Sequence, residues 1–90
     1  MTADRVLLTF VTRRDCELCD AALARLEPAA GRLGVQIAIV DVADDADLEA
    51  AFSEVVPVIL DGNGAVLAQG QISSRQAWFA ALRARASRAG

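Results

Sequence analysis

Hydrophobic residues along the chain fall into short continuous runs and into stretches with a helical period. The runs Val6–Val11 and Val35–Val42 are rich in β-branched residues and almost continuously apolar, which is typical of strands buried on both faces. Between them, from Glu17 to about Arg32, apolar residues recur at the spacing of one helix face. This stripe contains Leu18, Ala22 and Leu26, with Cys19, Leu23 and Ala30 beside it. The first half of the chain therefore predicts a strand–helix–strand unit.

Three residues mark the limits and a weak point of this first helix. Asp15 is a suitable N-cap, since its carboxylate can accept hydrogen bonds from the free N–H groups of the first turn. Gly34 suits the left-handed conformation that often ends a helix. Pro28 lies inside the stretch and has no N–H to donate, so we expect it to kink the helix or to divide it in two.

The second half of the chain predicts a short helix, a hairpin and a final helix. Asp44 and Asp45 favour the start of a helix from about Ala46 to Ser53. The predicted hairpin consists of a strand, a tight turn and a returning strand: Val55–Leu60, Asp61–Gly64 and Ala65–Gln69. Pro57 cannot donate within a central ladder and fits best at the first residue of its strand.

A capping-box pattern, Ser73-x-x-Gln76, opens the last helix, whose apolar side carries Trp78, Phe79 and Leu82. The predicted order is β-α-β-α-β-β-α. A right-handed parallel βαβ unit is followed by an antiparallel hairpin and a helix. The sequence therefore predicts an α/β fold with a four-stranded mixed sheet flanked by helices.

Composition limits the class of protein. The chain has 90 residues, of which 54% are hydrophobic and 23% charged, so it predicts one globular domain spanning residues 1–90. Its net charge of −3 argues against nucleic-acid binding, which needs a basic face. No apolar run approaches a membrane span, and the run Val6–Val11 is followed at once by charged residues, unlike a signal peptide. We expect a cytoplasmic protein.

The chain contains no histidine, which removes imidazole bases and ligands and leaves Cys16 and Cys19 as the reactive pair. In a reducing cytosol, two close cysteines are more often catalytic or metal-binding than a structural disulfide. Because the first strand ends near Thr12, Cys16 falls at the start of the following helix. Helical residues three apart have Cα atoms roughly 5 Å apart, which is within the range of a disulfide.

The two thiols differ in their predicted surroundings. Cys16 faces the free N–H groups and the positive end of the helix, which favour its thiolate. Cys19 lies one turn deeper, beside the apolar stripe. We therefore expect Cys16 to attack a disulfide and Cys19 to resolve the mixed disulfide. Three alternatives remain open. Both cysteines are small core residues, or they bind zinc. In the third, two copies of the chain share a metal ion or an iron–sulfur cluster between their cysteine pairs. One copy holds no complete zinc site, since two thiols without imidazole fall short of four ligands.

The runs LTFVTRRDCELCDAALARL, VDV and VVPVILDG resemble the small glutaredoxin-like members of the thioredoxin-fold superfamily. The resemblance extends from Val6 to about Ala84, and C-x-x-C is its most specific element. It implies a thioredoxin-like fold of the glutaredoxin type and a thiol–disulfide oxidoreductase acting in cell redox homeostasis. It also implies that Pro57 is cis and faces the dithiol, and that Val56 offers its backbone to the substrate.

Two segments depart from the glutathione-dependent glutaredoxins. Glu17-Leu18 replaces the usual Pro-aromatic pair between the cysteines. Gly70-Gln-Ile-Ser-Ser74 replaces the Gly-Gly-x-Asp-Asp stretch that holds the amino end of glutathione. Arg13 or Arg14 is a candidate for holding a substrate carboxylate. Glutathione is therefore a candidate partner, and we expect no required cofactor and no metal.

Together these features predict a monomeric, cytoplasmic disulfide oxidoreductase. Its expected partners are a disulfide-bearing protein or small-thiol substrate, and a reductase or thiol electron donor, but neither a nucleic acid nor a membrane. Two rival interpretations remain. One is an iron–sulfur or metal-binding dimer that uses the same cysteines, and the other is a thioredoxin-fold binding protein whose dithiol is idle.

Overall fold

A computed structural model of the chain describes residues 6–89. The limits of the predicted domain, residues 1 and 90, lie outside this range. The strands are β1 (Val6–Thr12), β2 (Val35–Asp41), β3 (Val58–Leu60) and β4 (Val66–Gln69). The helices are α1 (Glu17–Leu33), α2 (Ala46–Phe52) and α3 (Ser74–Ala89), with a 3-10 turn at Val42–Asp44 before α2. The predicted order of strands and helices is confirmed.

The strands form one mixed sheet in the order β2-β1-β3-β4. Strands β1 and β2 are parallel, from the pair Val6 and Val35 to the pair Thr12 and Asp41. Strand β3 runs antiparallel to both β1 and β4. The parallel crossover through α1 and the antiparallel hairpin confirm the predicted α/β architecture with helices flanking the sheet.

Strand β2 corrects one expectation from the hydrophobic pattern. The run Val35–Val42 predicted a strand buried on both faces, but β2 lies at the edge of the sheet. Val35 is buried, whereas Ile39 keeps 53% of its surface exposed. The reason is positional, because an edge strand has a neighbour on one side only and receives less cover from the packed helices.

Helix α1 is continuous across Pro28, so the expected division into two pieces is wrong. The missing N–H of Pro28 removes the helical bond to the carbonyl of Ala24 and leaves the other bonds of the helix possible. Buried Leu26 and Ala30 hold the helix against the core on either side of the proline. Gly34 ends α1 with φ 69° and donates its N–H to carbonyls of the last turn, as predicted.

The buried face of α3 also differs from the prediction. Phe79, expected on the apolar side with Trp78 and Leu82, is 53% exposed. The residues that α3 buries are alanines: Ala77, Ala80, Ala81 and Ala84. Helices α1 and α3 pack against each other, and small side chains allow two helices to approach closely. Ala77, Ala80 and Ala84 belong to the hydrophobic core cluster, so the small face of α3 is the face that packs inward.

The hairpin is confirmed, with a shorter first strand than predicted. Strand β3 begins at Val58, so Pro57 lies just before it rather than at its first position. In the turn, the carboxylate of Asp61 accepts hydrogen bonds from the N–H groups of Asn63 at 2.8 Å and Ala65 at 2.9 Å. Gly64 has φ 86°, a conformation that favours glycine.

The core lies between the sheet and the helices. Its largest fully buried side chains come from both layers and include Phe10, Leu8, Leu26, Ile59 and Ile72. No helix within the described range is long and apolar enough to cross a membrane.

Candidate functional site

The loop after β1 places Cys16 immediately before the first residue of α1. Asp15 has φ 54°, in the left-handed region, so it turns the chain instead of capping the helix. The N-cap is Cys16, whose Sγ accepts the N–H of Cys19 at 3.1 Å. The prediction of Asp15 as the N-cap is therefore wrong by one residue, because the sulfur of Cys16 takes the place of a capping oxygen.

Cys16 and Cys19 are joined by a disulfide, with their Cα atoms 5.2 Å apart. This distance confirms the separation that the i, i+3 spacing predicted. Cys19 is 1% exposed and belongs to the hydrophobic core. Cys16 is only partly buried, so it is the more accessible of the two sulfurs.

The residue positions around Cys16 are charged and exposed, with one apolar exception. Leu18, expected within the buried stripe of α1, is 47% exposed and gives the surface beside the disulfide an apolar component. The nearby charges are two arginines and three acids: Arg13, Arg14, Asp15, Glu17 and Asp20. The charge nearest the disulfide is therefore almost balanced.

The two arginines of the loop have different surroundings. Nη1 of Arg13 donates a hydrogen bond of 2.8 Å to the carbonyl oxygen of Ser53, the residue that caps the end of α2. Arg14 is exposed, and its side chain makes no hydrogen bond within the part of the chain that the structure describes. Neither the spacing nor the charge of these residues distinguishes them in the sequence.

Pro57 lies at the same end of the sheet as the disulfide. The pairing of Val11 with Val58 places Pro57 beside the end of β1, where the loop to Cys16 begins. The Val56–Pro57 peptide bond is cis, as the resemblance implied, and the N–H of Gly70 donates to the Pro57 carbonyl at 2.8 Å.

Val56 precedes this proline and is 7% exposed. Its N–H and carbonyl make no backbone hydrogen bond within residues 6–89. Buried backbone groups are normally paired, so an unpaired peptide group in this position has hydrogen-bonding capacity to offer.

The Gly70–Ser74 segment is occupied by helix capping. The N–H of Gln76 donates to Oγ of Ser73 at 3.1 Å, and the N–H of Ser73 donates to Oε1 of Gln76 at 2.9 Å. This reciprocal pair of hydrogen bonds confirms the predicted capping box. Ser73, one of the two serines of the segment, therefore acts as a helix cap.

Two long-range contacts carry no signal in the sequence. The first is the bond from Arg13 to Ser53, and the second is a bond of 2.8 Å from Nη1 of Arg25 to the carbonyl of Ile72. Both acceptors are backbone carbonyls far along the chain, and any residue type supplies such an acceptor. A residue pattern therefore could not have found them.

No group of three or more His, Cys, Asp or Glu side chains within the described residues is arranged to hold a metal ion. A cluster bound through Cys16 and Cys19 would need further ligands from outside this set, for example from a second chain.

Comparison with known proteins identifies a family that matches this chain and solved structures that resemble it. The family described as Glutaredoxin-like domain (DUF836) matches residues 7–85. The X-ray structure of Northeast Structural Genomics target protein XcR50 from X. campestris is 35% identical, with a TM-score of 0.64. The match covers 80% of this chain and 91% of that chain. No curated protein matches the chain.

Two more distant structures share the fold. Thioredoxin 1 from Thermosipho africanus TCF52B is 16% identical with a TM-score of 0.63, covering 86% of this chain and 91% of that one. A malarial protein is 20% identical with a TM-score of 0.62, covering 88% of this chain and 94% of that one. At these identities, the likeness supports a thioredoxin-like fold alone.

Proposed function

The chain belongs to the glutaredoxin-like domain family, and on this premise we propose that it is a thiol–disulfide oxidoreductase that uses Cys16 and Cys19. One observation carries the proposal. The partly accessible Sγ of Cys16 is the N-cap of α1 and is joined to the buried sulfur of Cys19. A sulfur in this position meets free N–H groups and the positive helix end, which stabilise a thiolate after reduction.

The reaction moves two electrons from the reduced pair to a disulfide. The Cys16 thiolate attacks one sulfur of the substrate, forms a mixed disulfide and releases the other sulfur as a thiolate, which takes a proton from water. Cys19 then gives its proton to water and attacks Sγ of Cys16. The second substrate sulfur leaves as a thiolate and takes a proton from water, and the Cys16–Cys19 disulfide forms. A thiol reductant or a reductase must return two electrons for the next cycle.

The substrate would lie between Cys16 and the segment before Pro57. The N–H and carbonyl of Val56, which have no backbone partner within residues 6–89, suit an extended substrate backbone. Exposed Leu18 offers an apolar contact. The loop offers positive charge, from Arg13 or Arg14, for a substrate carboxylate. These features fit a disulfide-bearing protein or a small anionic disulfide, with oxidised glutathione as one candidate.

The physiological setting completes the proposal. We assign the reaction to the cytoplasm, with a thiol or a reductase as electron donor and no required cofactor. The absence of the acidic glutathione motif at Gly70–Ser74 favours substrates recognised through the peptide group of Val56 rather than through the amino end of glutathione.

Replacing each cysteine by serine tests the division of labour. Cys16→Ser should abolish disulfide exchange, because the attacking thiolate is lost. Cys19→Ser should retain a reactive Cys16 that accumulates mixed disulfides, because no resolving thiol remains. Mass spectrometry of each variant after incubation with an oxidised substrate measures the adducts directly.

Three results would contradict the proposal. Adducts forming on Cys19 of Cys16→Ser at the wild-type rate would reverse the two roles. Full activity of Cys16→Ser would leave the dithiol idle and favour a binding protein. A coloured protein as purified, losing its colour in either cysteine variant, would favour a shared iron–sulfur cluster.

A further inference from the structure

Arg13 and Arg14 carry the same charge next to each other, yet only one has a protein partner within the described residues. The guanidinium of Arg13 reaches the Ser53 carbonyl at 2.8 Å. This carbonyl is at the C-terminal end of α2, where carbonyl groups lack helical N–H partners. A charged donor satisfies such a group better than a neutral one.

The Arg13–Ser53 bond joins the two segments that form the site. Arg13 lies in the loop that carries Cys16, and Ser53 begins the segment that leads to Val56. At its other end, this segment is held by the bond from Gly70 to the carbonyl of Pro57, at 2.8 Å. The Arg13 side chain therefore links the Cys16 loop to the segment that carries the Val56 peptide group.

We infer that Arg13 is a positioning residue that clamps the Cys16 loop to the Ser53–Pro57 segment, and that Arg14 contacts the carboxylate of an anionic substrate. This inference rests on the proposed disulfide reductase activity. The Arg13 guanidinium is directed to a backbone carbonyl of the protein, whereas Arg14 is exposed and has no such partner among residues 6–89.

Steady-state kinetics with two disulfides separate the two roles, with dithiothreitol returning two electrons to the Cys16–Cys19 pair in each cycle. The probes are oxidised glutathione, which carries carboxylates, and bis(2-hydroxyethyl) disulfide, which is neutral. Arg13→Ala should lower kcat about three- to tenfold for both probes with KM little changed, because the attacking sulfur is misplaced. Arg14→Ala should raise KM for oxidised glutathione about two- to fivefold, with a much smaller effect on the neutral probe.

Two further variants control for charge and for stability. Arg13→Lys keeps the positive charge and one donor, so it should recover part of the kcat lost in Arg13→Ala. Arg83→Ala removes an exposed arginine from α3 and should leave both probes unaffected. If Arg13 contributed only to stability, Arg13→Ala would lower the melting temperature while kcat at lower temperature stayed unchanged.

Hydrogen–deuterium exchange gives a readout that does not depend on activity. Arg13→Ala should speed exchange in peptides covering residues 13–18 and 53–57, whereas Arg14→Ala should not. A rise in KM for oxidised glutathione alone in Arg13→Ala would overturn the clamp, and so would unchanged exchange in that variant. A further outcome is that the wild type reduces neither probe while Arg13→Ala still exchanges faster than the wild type. That result would contradict the proposed activity and the role of Arg14, and it would support the clamp.

Discussion

At the scale of single residues, the chemistry of the pair depends on where each sulfur lies. Cys16 caps α1 and is partly accessible, and Cys19 is 1% exposed one turn further on. The helix end favours a thiolate at Cys16, and two arginines add positive charge. Three nearby acids oppose both effects, namely Asp15, Glu17 and Asp20. All these side chains are exposed, so solvent and salt weaken each contribution. We therefore expect a modestly acidified Cys16 and a reduction potential toward the thioredoxin-like end of the range.

Removing one of these acids should change that balance. Glu17→Gln deletes a negative charge next to Cys16, so it should lower the pKa of the Cys16 thiol in the reduced protein and make the pair more oxidising. The ultraviolet absorbance of the thiolate against pH measures the first effect, and equilibration with a redox buffer measures the second. Glu27→Gln, on the same helix but distant from the site, is the matched control. An identical response of both variants would remove the argument, as would a wild-type pKa already as low as that of a strong oxidant.

At the scale of elements, local capping defines where each helix starts. The Ser73–Gln76 pair satisfies two N–H groups at the start of α3, the helix that packs against α1. Asp45 serves α2 in the same way, accepting from Asp47 at 3.0 Å and Leu48 at 3.1 Å. In both caps the accepting side chain lies only a few residues from the N–H group that it binds. The sequence alone therefore predicts these caps.

The capping box yields a stability prediction. Ser73→Ala removes the acceptor for the N–H of Gln76 and should destabilise the protein by about 1 kcal/mol. For a chain of this size, that corresponds to a fall in melting temperature of roughly 4–8 °C. Ser74→Ala is the control, since Ser74 is exposed and its hydroxyl makes no hydrogen bond within residues 6–89. Equal melting temperatures for the two variants would mean that the cap contributes nothing measurable.

At the scale of the whole molecule, the packing of α3 against the core decides which of its residues are buried. Among the side chains of α3 that the structure describes, four alanines are buried and the larger Phe79 is half-exposed. Ranking side chains by hydrophobicity selects the aromatic face of this helix. The observed packing selects the alanine face instead, since small side chains let α3 lie close to the rest of the core.

Enlarging a buried alanine of α3 should therefore lower the free energy of unfolding more than truncating the half-exposed Phe79. Ala80→Leu forces three extra carbon atoms into a position that is 2% exposed, and overpacking of this kind costs about 1–3 kcal/mol. Phe79→Ala changes a side chain that is 53% exposed and should cost less. Urea denaturation of both variants gives the free energies of unfolding. A greater loss in Phe79→Ala would mean that the aromatic face is the one that packs.

The sequence by itself determined the order of the elements, the helix caps at Gly34 and Ser73, and the placement of two thiols within disulfide distance. All of these follow from local rules, since hydrophobic period, capping and i, i+3 spacing act over a few residues. The sequence pattern indicated Asp15 as the N-cap of α1, whereas the N-cap is the next residue, Cys16. A thiol is not among the preferred caps, and only the left-handed turn at Asp15 brings it into that position.

The tertiary structure decided the rest. It put β2 at the sheet edge and so left Ile39 exposed, kept α1 continuous through Pro28, and turned the alanines of α3 inward. It also brought Arg13 to the carbonyl of Ser53, 40 residues further along the chain. Each of these outcomes depends on which distant surfaces meet. A local residue pattern does not determine which distant segments come into contact. Many different pairs of segments could satisfy the same hydrophobic and hydrogen-bonding requirements.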